Sequence, residues 1–84
     1  MKIPLVLVAF SLAATSAQAS CTSEVGAAKA NTYVRHCRDV SPATRPPCNA
    51  ANACSLLIGE IKRGCAFLKE DAPAYCRTYM SGGR

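Results

Sequence analysis

The chain has no tryptophan, one histidine (His36) and only five carboxylates among 84 residues. Nor does it have a glycine-framed serine of the kind that forms a nucleophile elbow. It holds six cysteines but no Cys-x-x-Cys pair. Its longest apolar run, Ile3 to Ala14, falls short of the ~20 residues that span a bilayer. Internal repeats and low-complexity tracts are absent.

Each absence removes a class of chemistry. Hydrolysis needs a nucleophile, a base and an orienting group. Here the base would have to be His36, with Asp39 three residues later on the same helical face. Arg35 and Arg38 flank that pair, which marks an exposed polar surface. Sugar hydrolysis needs two separated carboxylates facing one bond, whereas Glu70 and Asp71 are adjacent in a turn. Structural zinc sites use tighter cysteine pairs, and His36 abuts Cys37, so no metal and no cofactor are expected. Thiol redox catalysis needs an attacking and a resolving thiol close in sequence, but Cys48 and Cys54 are six apart. The cations Arg35, Arg38, Arg45, Lys62, Arg63, Lys69 and Arg77 are scattered over several elements. Neither a nucleic-acid reader nor an interfacial membrane helix carries its charge so diffusely.

What is present begins with an export signal. Lys2 precedes the apolar run, and Ala17-Gln18-Ala19 supplies a small-x-small cleavage site. Residues 1–19 read as a cleaved signal peptide of bacterial type, 20–80 as a single disulfide-rich helical domain, and 81–84 as a flexible tail. Lipidation at Cys21 is disfavoured, because Gln18 stands where a lipobox has leucine and five cysteines would be left over. Loss of Lys2 lowers the net charge from +5 to +4. All six cysteines (Cys21, Cys37, Cys48, Cys54, Cys65 and Cys76) lie beyond residue 19. An even count in a short exported chain reads as a disulfide framework in the periplasm or the secreted fraction. A chain this small buries little core, and each staple adds about 2–4 kcal/mol.

Hydrophobic spacing predicts an all-α fold: a disulfide-stapled helical hairpin plus a short third helix, with a proline-rich loop inside the hairpin. The first helix is expected from Thr22 to Val40, capped by Thr22 or Ser23, with Ala27, Ala30, Val34 and Cys37 on one face beside Tyr33. Pro42, Pro46 and Pro47 make 41–49 a loop. The second helix is expected from Ala50 to Lys69, capped by Asn49 or Asn52. Cys54, Ile58, Ile61, Cys65 and Leu68 are spaced four, three, four and three apart, Leu57 widens the stripe and Gly64 lies at its edge. Leu56 and Phe67 lie on the back and call for a second contact with the last helix. Asp71 would cap that helix from Ala72 to Met80.

Six cysteines allow fifteen pairings. On one helix Cys54 and Cys65 would be about 16 Å apart, and Cys21 and Cys37 about 24 Å. Disulfide Cα atoms must lie within about 7 Å, so neither bond forms and ten pairings remain. An antiparallel hairpin favours Cys37–Cys54, Cys21–Cys65 and Cys48–Cys76. A nested set, Cys21–Cys76, Cys37–Cys65 and Cys48–Cys54, is the alternative.

These residues point to a non-enzymatic binding module of the bacterial envelope, acting as an inhibitor or neutraliser of another protein. The expected partner is a protein or an anionic envelope component, not nucleic acid, and the cleaved chain is not expected to be an integral membrane protein. The candidate partner surface is Arg45, Pro46 and Pro47 with Arg35 and Arg38. Arg45 in a stiff loop resembles a protease bait, although Pro46 after it makes a poor scissile position. The alternative is a cationic membrane-active or toxin-like peptide, and an enzyme centred on His36 is the third reading.

Overall fold

The computed structural model describes residues 19–42 and 46–82. Among these the chain is helix and turn, with no strand. Its elements are α1 (Cys21–Val25), α2 (Ala27–Val40), α3 (Cys54–Leu68) and α4 (Cys76–Met80), with a 3-10 turn at Lys69–Asp71 before α4. The signal peptide expected at 1–19 lies outside the described residues except for Ala19, as does the end of the tail at 83–84.

The all-α, disulfide-stapled character matches the expectation. The first helix, however, is two helices. Ser20 caps α1 by accepting the Ser23 N–H at its Oγ (3.1 Å). The helix stops at Gly26, whose φ of 93° and ψ of 159° suit a residue without Cβ. The break turns α1 onto the segment before α3. There the Cys21 N–H donates to the Asn52 carbonyl (2.6 Å) and the Thr22 N–H to that of Ala50 (3.3 Å). α2 then buries Ala30, Tyr33, Cys37 and Val40, while Val34 is half-buried and Ala27 exposed.

α3 begins four residues later than expected. Asn49 and Asn52 are spent on turns: Asn49 Oδ1 accepts the Ala51 N–H (2.8 Å), and the Asn52 amide donates to the Pro46 carbonyl. The capping role passes to Glu24 of α1, whose carboxylate accepts the Cys54 N–H (3.3 Å). A negative charge there also complements the α3 dipole. α3 buries Cys54, Leu57, Ile61, Gly64 and Cys65, with Ile58 and Leu68 half-buried. It ends at Leu68, because Lys69 takes a left-handed φ of 55°.

Asp71 does not cap α4. It belongs to the 3-10 turn, and Ala72 before Pro73 is extended (φ −70°, ψ 142°), as a residue preceding proline prefers. α4 starts only at Cys76, whose N–H donates to the Pro73 carbonyl (3.0 Å). Leu56 and Phe67 do not meet it, and both stay exposed.

All six cysteines are paired, but as Cys21–Cys54, Cys37–Cys48 and Cys65–Cys76. Neither the favoured nor the nested set forms, and both excluded bonds are absent. The cause is chain direction. Cys21–Cys54 joins the leading ends of the two helical segments, and Val40 at the end of α2 lies on Gly64 late in α3. The helices therefore run in the same sense, and residues 46–53 return toward the start of α3.

Gly64 makes that crossing possible. A Cβ there would overlap the Val40 carbonyl oxygen and lie 2.7 Å from both its carbonyl carbon and Cγ2. Gly64→Ala should cost at least about 3 kcal/mol in urea unfolding, since backbone must move. Gly59→Ala, which meets nothing within 4 Å, should instead gain about 0.5–1 kcal/mol from helix propensity. Equal effects would mean the helices do not touch at Gly64. Non-reducing peptide mapping that cuts between Cys48 and Cys54 should recover the three bonds above.

Candidate functional site

The Cys37–Cys48 bond fastens the proline loop to α2 beside Arg38, with the Cα atoms 5.4 Å apart. The loop is gripped again by Asn52, whose amide reaches the carbonyls of Pro46 and Pro47 while its own carbonyl accepts from Cys21. Pro46 is exposed and Pro47 half-buried. Asn31, Arg35 and Arg38, four and three residues apart, form the exposed stripe of α2. Neither arginine bonds a carboxylate among the described residues, where the one ion pair is Glu60–Arg63 (3.3 Å). Two free guanidiniums on a helix anchored by a disulfide can receive carboxylate or phosphate oxygens without reorganising the backbone. Arg45 lies outside the described residues, so the bait-loop geometry has no position here.

His36 and Asp39 are not joined to each other; each is taken by a tyrosine. Tyr75 stacks on the His36 ring (centroids 3.6 Å apart, 10° between planes), and its hydroxyl donates to Asp39 Oδ2 (3.0 Å). The Tyr79 hydroxyl sits 2.9 Å from His36 Nδ1, and its ring meets Tyr33 edge-on at 6.3 Å. The cluster ties α4 to α2, while Cys65–Cys76 ties α4 to α3. The buried hydroxyl of Ser41 is engaged elsewhere, donating to Glu60 Oε2. Sequence reasoning missed Tyr75 as a site residue. The available signal was the Tyr75/Tyr79 spacing of four, matching the His36/Asp39 spacing of three on another helix.

The cluster holds its rings neutral. Burial, and then the Arg35 charge, lower the His36 pKa from 6.5, against a smaller opposing pull from Asp39. Burial pushes Tyr75 up to about 12, aided by its hydrogen bond to Asp39 and that residue's charge. Burial and the neighbouring Tyr33 push Tyr79 up to about 12 as well. With its proton on Nε2, neutral His36 accepts the Tyr79 hydroxyl at Nδ1, an arrangement that protonation of Nδ1 abolishes. Among the described residues no group of three His, Cys, Asp or Glu could hold a metal ion, and no helix is long and apolar enough to cross a membrane.

The folded state thus disfavours the imidazolium relative to the unfolded chain. The His36 contribution to stability is fully present above pH 6.5 and is lost as pH falls through the lowered folded value. Urea midpoints should rise from pH 5 to 7 in the native protein and flatten in His36→Asn. The tyrosines act in reverse: their contribution is intact below pH 10 and lost as pH rises toward 12. Phenolate absorbance of Tyr75 and Tyr79, assigned with the Phe variants, should appear only near pH 12 while the chain stays folded.

Comparison with protein-family models, curated proteins and solved structures finds no match for this chain.

Proposed function

We propose that this chain is an exported, non-enzymatic binding module of the bacterial envelope that inhibits or neutralises an acidic protein partner. It docks through Arg35 and Arg38 with Pro46 and Pro47. The double grip on the proline loop, covalent through Cys37–Cys48 and polar through Asn52, carries the reading. A surface fixed before encounter loses little entropy on binding, and clustered charge on it hastens association with an acidic face.

Two further features support it. Three disulfides suit an oxidising compartment, the periplasm or the secreted fraction. Cleavage after Ala19 would leave Ser20 in place to cap α1. His36 and Asp39, the groups an enzyme would need, are instead engaged by Tyr75 and Tyr79.

The test is affinity capture on oxidised protein recovered after export, using envelope extract. One protein should be retained, and Arg35→Glu/Arg38→Glu should weaken its binding at least about tenfold without changing the melting temperature. Leakage of anionic vesicles by the same protein, suppressed by salt, would replace this reading with the membrane-active one. Binding indifferent to the double variant would remove the assigned surface.

A further inference from the structure

The outer face of α3 plays no part in the surface described above. Leu56, Glu60, Arg63 and Phe67 follow one another at spacings of four, three and four. Eleven residues are three turns plus about 20°, so Leu56 and Phe67 share one stripe about 16 Å long. The stripe lies a quarter-turn or more from buried Leu57 and Ile61; Arg63 keeps 73% of its side chain exposed, while Glu60, which also accepts from Ser41, keeps 12%. Its apolar ends are open to solvent, Leu56 at 51% and Phe67 at 78%. Between them Arg63 Nε and Nη2 bond the Glu60 carboxylate at 3.3 and 3.4 Å. Beside Phe67 lies a hollow of about 370 Å³ bounded by Pro42, Gly64 and Ala66 along with the stripe itself.

This order, apolar–acidic–basic–apolar, is its own complement when reversed. Consider two copies of α3 packed antiparallel about a twofold axis between Ile61 and Lys62. Leu56 faces the second copy's Phe67, and Glu60 faces the second copy's Arg63, each twice over. The Leu56 side chain of one copy is carried to the hollow beside Phe67 of the other. A parallel pair in register sets Glu60 against Glu60 and Arg63 against Arg63. An antiparallel slip of one heptad sets Arg63 against an apolar end. Of these three arrangements, only the antiparallel, unshifted one sets apolar against apolar and opposite charges against each other, and it is the self-complementary patch that a twofold dimer requires. The spacing is that of a helix-pair seam.

We propose that the Leu56–Glu60–Arg63–Phe67 stripe of α3 is a homodimer interface, with two copies packed antiparallel across a twofold axis. The interface uses neither Arg35 nor Arg38, so the dimer and the partner-binding surface stand or fall separately.

Sedimentation velocity on the oxidised, exported protein tests it between about 1 μM and 1 mM. The mass should rise from one chain to two across that range. Phe67→Asp, a change at an exposed site, should raise the dimer dissociation constant at least about tenfold with an unchanged melt. Glu60→Arg and Arg63→Glu should each be monomeric at concentrations where the native protein is dimeric. Mixed in equal amounts they should restore a dimer, because each cross-pair is then opposite in sign. A single-chain mass throughout the range overturns the proposal. So does a dimer that survives Phe67→Asp, which would place the contact on another face. Should Glu60→Arg fail to fold for loss of the Ser41 bond, the Phe67→Asp and Arg63→Glu results decide alone.

Discussion

Cross-linking and core formation are one event in this chain. Among the described residues twelve apolar ones are buried, and six of them are the half-cystines. Leu57 and Ile61 are the only aliphatic side chains larger than alanine that are fully enclosed among those described. Such a core cannot by itself offset the entropy of ordering the helices, so the sulfur bridges both fill the interior and restrict the unfolded chain. Each bridge closes a different element. Cys21–Cys54 joins α1 to α3 across 33 residues of sequence, Cys37–Cys48 fastens the proline loop to α2, and Cys65–Cys76 fastens α4 to α3. No helix is cross-linked to itself, which is why five short elements behave as one body.

Two glycines let those bonds close. Gly26 breaks what would be one helix, and α1 swings until Cys21 and Glu24 reach the start of α3. Gly64 lets α2 and α3 approach to backbone contact at Val40. Helices that start together need a long return path between them. Residues 41–53 supply it, and Pro42, Pro46 and Pro47 favour the extended backbone that covers distance with few residues. Residues 46–53 form a strap laid back along the helices rather than part of a hairpin turn.

That distinction separates what the sequence made legible from what it hid. The apolar stripe of α3 could be read, because its spacing of four and three residues is local and needs no knowledge of neighbours. The forbidden bonds Cys54–Cys65 and Cys21–Cys37 could be read too, since helical rise alone decides them. The actual pairing could not, because it depends on whether the helices run together or opposed. The loop read from sequence, nine residues at 41–49, gave little warning, since two to eight are usual between antiparallel neighbours, and only the later start of α3 at Cys54 lengthens the connection to thirteen. The exposure of Arg35 and Arg38 followed from their place on the wheel opposite Cys37 and Tyr33. The fate of His36 did not follow, because its companions Tyr75 and Tyr79 lie about forty residues away and arrive only when Cys65–Cys76 sets α4 in place.

The same arrangement would couple the proposed arginine–proline surface to the redox state of its compartment, and do so unevenly. The Cys37–Cys48 loop spans only 11 residues, so its loss changes the unfolded-state entropy less than loss of the 33-residue bridge. Yet it is the short bridge that presses the di-proline against α2. Reducing it would leave polar contacts, those of Asn52 and the Thr22–Ala50 bond among them, to hold the strap, and the backbone beside Arg38 would loosen while the helices stayed joined. Loss of Cys65–Cys76 acts on a different face: α4 would be released, the tyrosine cover would lift from His36, and the burial that keeps the imidazole neutral would weaken. The bridge that spans the most sequence therefore adds only about 1 kcal/mol more than either short one, while the hold on the proposed surface falls to one of the short ones. A chain built this way can lose the geometry of that proposed surface before it loses its fold.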